Sequence, residues 1–211
     1  MSRLISLREL EEGVVIKEVI KVLEAGLVVA IPTETYYGLA ADPFNPQALK
    51  RLFALKRRPP EKPVLLLLGS LEQLDLLATS IPPWAEELIS RFWPGPLTLV
   101  FQARKDLLPW LTGDTGKVAL RLTSHPLARK IALAFGPVTG TSANLSGQPP
   151  ARSAQEVAES LAPDLIVDAG PTEGGAPSTI VDVTVFPPKI LRPGKVSREE
   201  LKAALGEEDP Q

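Results

Sequence analysis

Strand-length apolar runs set between segments of helical period constrain this chain most. Leu27 to Ile31 and Val64 to Leu68 are apolar without interruption. A strand with one wet face alternates, whereas one covered on both faces need not, so these runs predict interior strands. Before the first run, Val15, Val19, Val22 and Leu23 recur as on a helix, and Gly26 is placed to end it. Ala48, Leu49, Leu52, Phe53 and Leu55 restore the helical period ahead of the break at Pro59-Pro60. Further helices are expected from Ser70 to Ala78, over 82–93, from Pro126 to Phe135, and from Ser153 to Leu161. A last one runs from Ser197 to Leu205, with Glu200 completing a capping box. Strands are expected at Leu97 to Ala103, Lys117 to Leu122, Pro137 to Thr139, Leu165 to Asp168, Thr179 to Val183 and Ile190 to Arg192. Several neighbouring strands lack a crossover helix, so the expected fold is α/β with a mixed sheet covered by helices. It forms one domain over 1–205, followed by an acidic tail at 206–211.

The same pattern and the composition exclude several classes. With 211 residues, 44% of them hydrophobic, the chain is matched to one packed domain, not to disorder. No apolar run approaches the roughly 20 residues of a membrane-spanning helix. Met1 to Glu12 is charged and has no apolar core of a secretory signal. The absence of cysteine rules out disulfides, thiolate catalysis and cysteine-ligated metals, and makes the cytosol the expected location. A net charge of −2 means that any polyanion site must be a local cluster. Many prolines (22), one methionine and two asparagines are thermophile-like, a bias that genomic base composition also produces.

Elimination narrows the chemistry. No Walker loop is present; Gly113 to Val118 lacks its spacing and hydroxyl. No G-x-G-x-x-G follows a strand. No G-x-S-x-G elbow exists, and a single histidine, His125, cannot build a His-ligated metal centre. His125 precedes Pro126 at a helix start and reads as a surface or helix-terminal residue.

What remains is a set of polar loops at strand ends. Pro32 to Leu39 follows the first apolar run, where α/β folds place ligands, although a plain turn has the same vocabulary. Lys56 to Pro63 puts four cations within seven residues at a helix end. Such charges complement a helix dipole, but the prolines stiffen the segment as a phosphate site requires. Thr139 to Gly147 is the densest polar loop. Arg121 ends an apolar strand, as an arginine in a buried ion pair or one holding an anionic ligand would. Ser178-Thr179 and Arg192-Pro193-Gly194 flank the last strands. Together they suggest a nucleotide-sized anion site for chemistry that needs positioning and charge stabilisation, such as adenylyl transfer.

In this order the motifs resemble the YrdC/TsaC family of threonylcarbamoyl-AMP synthases. Pro32-Thr33-Glu34-Thr35-Tyr36-Tyr37-Gly38-Leu39 is similar to its P-T-E-T-x-Y-G-L, Lys56 and Arg58 to its K-x-R, and Lys62-Pro63 to its K-P step. Phe92 to Thr98 is similar to the W-P-G-P-x-T turn, and Arg121 to Pro126 to R-x-P-x-H-P, with Thr123 in place of proline. Thr141 to Gly147 carries S-x-N, and Ser178 to Asp182 carries S-T-I-V-D. Each motif is short; their collinearity over nearly the whole chain carries the resemblance.

The resemblance implies a YrdC-like twisted mixed β-sheet flanked by helices around a positively charged cavity. It implies an enzyme, a nucleotidyltransferase that joins L-threonine, bicarbonate and ATP into threonylcarbamoyl-AMP and pyrophosphate for threonylcarbamoyladenosine in tRNA. On that basis Lys56, Arg58, Ser142, Asn144 and Arg192 would hold ATP, with Lys56 and Arg58 catalytic. Thr33, Lys62, Arg121, Thr141 and Ser178 would hold L-threonine. Mg2+ would ride on the phosphates, with no metal held by the protein itself. Thr123 is expected to alter a turn only. Other proteins would transfer the group to tRNA, and direct binding of tRNA or double-stranded RNA would be weak. Longer relatives carry a further C-terminal domain, which this chain is expected to lack. Two rivals share the cations: a carbamoyl-adenylate-forming carbamoyltransferase and a double-stranded RNA-binding factor.

Overall fold

The computed structural model describes residues 2–59, 61–113 and 115–206. The chain runs β1 (Arg3–Ser6), α1 (Glu12–Glu24), β2 (Val29–Pro32), β3 (Tyr37–Ala40), α2 (Pro46–Lys56) and β4 (Leu66–Leu68). It continues through α3 (Pro83–Phe92), β5 (Leu97–Gln102), α4 (Pro109–Thr112), β6 (Lys117–Leu122), α5 (Pro126–Phe135), β7 (Val138–Thr139) and β8 (Thr141–Ser142). The last part is α6 (Ala154–Ser160), β9 (Leu165–Asp168), β10 (Thr179–Asp182), β11 (Lys189–Arg192) and α7 (Arg198–Ala204). The acidic tail expected from 206 lies, from 207 onward, outside the described residues.

Local signals place the helix ends. Asn45 caps α2, its side-chain oxygen accepting from the amides of Gln47 and Ala48 at 2.9 and 3.2 Å. The Ser197–Glu200 capping box opens α7, and Gly26, at φ +70°, follows α1 in the left-handed conformation that glycine adopts without strain. The helix expected from Ser70 to Ala78 is instead a 3-10 turn over Leu71–Leu76. There the Ser70 side chain caps no backbone amide. Among the described residues no helix is long and apolar enough to cross a membrane.

The α/β class holds, but hydrogen bonding divides the strands into two mixed sheets rather than the single one expected. One has the order β1-β9-β2-β3-β8, the other β11-β10-β5-β6-β4-β7. Both apolar runs are central strands. In β2, Ala30 faces one core while Val29 and Ile31 face a second core beneath α1 and α5. In β4, Leu66 and Leu68 face the first core and Leu67 the second. Burial on both sides is why neither strand alternates.

The chain passes between the sheets at one residue. Gly140 separates β7, in the second sheet, from β8, in the first. A Cβ there would stand 2.4 Å from Leu67 Cγ, so only glycine fits so close a crossing. Beside it, Thr139 Oγ1 donates to Leu39 O at 2.8 Å and accepts from the Ala41 amide at 2.9 Å, tying β7 to the strand of the opposite sheet. The crossing delivers the polar loop after Thr139 to the cleft between the sheets.

Candidate active site

That cleft contains a cavity of about 710 Å³. Strand period builds its walls. Lys117, Ala119 and Arg121 of β6 face it, while Val118, Leu120 and Leu122 fill the core behind. Ser178, Ile180 and Asp182 likewise line it from the start and length of β10, with Val181 in the core. The other sheet supplies Thr33, Thr35 and Tyr36 from the turn between β2 and β3, Tyr37 from β3, and Thr141 and Ser142 from β8. Arg58, Thr115, Asn144, Gln148 and Arg192 complete the polar lining. Four cations (Arg58, Lys117, Arg121, Arg192) therefore face one lining carboxylate, Asp182.

Each predicted loop is held by its own hydrogen bonds. Arg57, at φ +50°, takes the left-handed cap position after α2 and turns the chain so that Arg58 reaches the cavity. Arg58 is anchored by donating to the carbonyls of Lys62 and Pro63 at 2.9 and 2.7 Å. Ser142 Oγ donates to Asn144 Oδ1 at 2.5 Å, and Asn144 Nδ2 donates to Leu145 O and Gln148 O. Ser178 Oγ pairs with Thr98 Oγ1 at 2.9 Å and accepts from Arg192 Nη2 at 3.0 Å. Thr33 Oγ1 donates to Tyr36 O at 2.7 Å, closing the turn between β2 and β3. Tyr37, fully buried, donates to Gly170 O, and burial pushes its hydroxyl pKa up to about 12.

The predicted residues do not all arrive where expected. Thr33, Arg58, Arg121, Thr141, Ser142, Asn144, Ser178 and Arg192 line the cavity. Lys62 is exposed and stands outside the lining. Lys56, expected at the phosphates, lies beneath the loop with 1% of its surface exposed. Its ammonium donates to Ser142 O at 2.5 Å, Asn144 O at 2.8 Å and Asn144 Oδ1 at 3.4 Å. Burial, and secondarily Arg58, push its pKa down to about 8. Burial similarly lowers Arg192, whose second cause is the neighbouring charge of Arg121.

Arg121 occupies both of the roles open to it. It lines the cavity, and its Nε lies 3.2 Å from Oε1 of Glu34, with side chains 3% and 12% exposed. The contact is ionic and lacks hydrogen-bond geometry. Among the described residues, the buried side-chain polar atoms without a hydrogen-bond partner are Glu34 Oε1, Arg121 Nε and His125 Nδ1. Thr123 does more than alter a turn: its hydroxyl donates to Glu34 Oε2 at 2.6 Å and accepts from the His125 amide at 3.2 Å. His125 sits at the N-cap of α5, held below the usual histidine range by burial against the pull of Glu34.

Sequence reasoning gave no role to Glu34 or Asp182, although both stand in motifs it quoted, and did not single out Lys117. Lys117 pairs with Asp182 at 2.8 Å across one end of the cavity. The period-2 spacing of Lys117, Ala119 and Arg121 was the available signal. Among the described residues no group of three or more His, Asp or Glu side chains gathers as a metal site.

Fold and cavity define a two-sheet α/β protein with a cation-rich cleft between its sheets. The sequence profile of the Sua5/YciO/YrdC family, described as telomere recombination, matches residues 21–194. The chain belongs to that family. It is 41% identical over 210 residues to the threonylcarbamoyl-AMP synthase of Pyrococcus abyssi, covering 98% of this chain and 62% of that protein. It is 40% identical over 183 residues to the threonylcarbamoyl-AMP synthase of Vibrio campbellii, covering 84% of this chain and 98% of that one. The crystal structure of P. abyssi Sua5 complexed with L-threonine superposes with a TM-score of 0.92 at 39% identity, over 100% of this chain and 62% of that one. The chain thus spans about three-fifths of the archaeal relative's length.

Proposed function

We propose that the chain is a threonylcarbamoyl-AMP synthase, acting in the cytosol on L-threonine, bicarbonate and ATP. The observation that carries this reading is the convergence of three arginines with Thr33, Thr141 and Ser178 in one cavity, in a chain similar to a protein solved with L-threonine.

In this reading Arg121 forks onto the amino-acid carboxylate, and the hydroxyls of Thr33, Thr141 and Ser178 orient its other polar groups. The threonine amine condenses with bicarbonate, releasing water and leaving a carbamate. A carbamate oxygen then attacks the α-phosphorus of ATP, and the bond to the bridging oxygen breaks to release pyrophosphate. Arg58 and Arg192 offset charge at the phosphates, with Ser142 and Asn144 beside them. Lys56 acts by holding the 142–144 loop in place. Lys62 reaches the ligand only if its exposed side chain folds over the cavity mouth.

The single lining carboxylate, Asp182, is engaged by Lys117 and Thr184. The donor set therefore fits magnesium carried on the nucleotide better than magnesium held by the protein; bound there it supplies charge neutralisation at the phosphates. The adenylate is consumed by transfer proteins acting on tRNA, and RNA contact by this chain is weak.

The test is pyrophosphate release from ATP and magnesium with L-threonine and bicarbonate omitted in turn. Release that needs both is expected. Release without threonine would indicate a carbamoyl-adenylate enzyme, and none from folded protein would turn attention to RNA.

A further inference from the structure

Glu34 lies outside the cavity lining, yet it is the acid that faces Arg121. Its placement is built from several sides. The turn that carries it is closed by Thr33, and its carbonyl accepts from Lys195 Nζ at 3.1 Å. The next residue, Thr35, accepts from the Gly174 amide at 2.9 Å. At the other end, the Thr123 hydroxyl holds Oε2, directing Oε1 at the guanidinium Nε.

We propose that Glu34, fixed by Thr123, is a positioning residue that orients Arg121 towards the substrate carboxylate. The inference rests on the reading of Arg121 as the carboxylate-binding arginine. A guanidinium presents its donors in a rigid fork, so holding the Nε edge from behind sets the plane of the two Nη groups. Arg121 also stands near Arg192, whose charge opposes its own. A carboxylate on the far side keeps the buried guanidinium from turning to another acceptor. Oε1 and Nε meet without a hydrogen bond, so charge and the Thr123 anchor define the arrangement.

Glu34→Gln keeps an oxygen for Thr123 but removes the charge facing Arg121. It should raise the KM for L-threonine about tenfold, the scale of losing one interaction with a charged group, while the KM for ATP moves less than about twofold. Thr123→Val should do the same, and Thr123→Ser should restore the wild-type KM. The second pair decides the matter if Glu34→Gln fails to fold. A general structural defect would shift both substrates together and would not be rescued by serine.

Wild-type release that depends on threonine, with threonine KM unmoved or lowered in folded Glu34→Gln and in Thr123→Val, overturns the role of Glu34 alone. Equal shifts for threonine and ATP overturn it too. Wild-type release that needs no threonine overturns the functional reading, and the role of Glu34 with it.

Discussion

At the scale of single residues, the site depends on side chains whose task is to hold other groups. Lys56 is the clearest case: buried, with an acceptor for each proton, it pins the backbone at Ser142 and Asn144. Its pKa, pushed down to about 8, makes a signed prediction. Below that value the ammonium is charged and the loop is fixed; as pH rises through it, the pin weakens. Stability runs the other way. The folded chain binds this proton less tightly than the unfolded chain does, so the cost of burying the charge is present below about 8 and is relieved as pH rises towards the ordinary lysine value. Pyrophosphate release should therefore fall as pH rises through about 8 while the melting temperature shows no matching loss from this group. Lys56→Ala should lose roughly a hundredfold in turnover and lose that limb. A flat profile across this range would remove Lys56 from the loop's control. Its residue type pointed to the site, but spacing cannot say which way a long side chain turns. The role of Glu34 was hidden for a related reason: Arg121 near the end of β6 and Thr123 just after that strand lie far along the chain.

At the scale of elements, the cleft is shaped by how β10 and β11 close upon each other. Gly194 follows β11, and a Cβ there would stand 2.3 Å from Pro177 O, 2.5 Å from Ser178 C and 2.5 Å from Thr179 N. All three are backbone atoms, so no side chain can yield. Gly194→Ala should displace the segment after β11 from the start of β10 and cost about 1–3 kcal/mol, as overpacking does. Because Arg192 grips Ser178 through its carbonyl and hydroxyl, the same change should depress activity beyond the loss of folded protein. Thermal melts and specific activity of the folded fraction check both, and wild-type values in each would show that the hairpin can yield. Elements with strong periodicity were legible: β6, α5 and β9 match their expected bounds, and the α7 capping box forms. The misses have physical causes. Strand β3 is embedded in a glycine- and hydroxyl-rich motif whose vocabulary is that of a turn, and β8 is a two-residue bridge. The division into two sheets depends on pairings such as β3 with β8 and β2 with β9, which no local pattern encodes.

At the scale of the whole molecule, a ligand filling the cleft bridges the two sheets. Thr33 and Thr141 come from one sheet, while Arg121 and Arg192 come from the other. Anything that binds only the folded form stabilises it by mass action, about 2.7 kcal/mol at a hundred times its Kd. For a chain of this size that is a rise of roughly 5–10 °C in melting temperature. Magnesium-ATP and L-threonine should each produce such a rise, and the residue assignments divide it. Arg121→Ala should abolish the threonine increment and keep most of the ATP increment; Arg58→Ala should do the reverse. Each increment is measured against the variant's own unliganded melt, since removing Arg121 leaves Glu34 uncompensated and lowers the starting point. The net charge of −2 adds a further discriminator. Small ligands held by a few fixed groups in a sheltered cavity should keep most of their increment when salt is raised from about 50 to about 200 mM, whereas a stabilisation by RNA through phosphate contacts would collapse over that range. Loss of both small-molecule increments in either variant would mean that the two ligands share one set of cations, and the division of the cavity between nucleotide and amino acid would have to be redrawn.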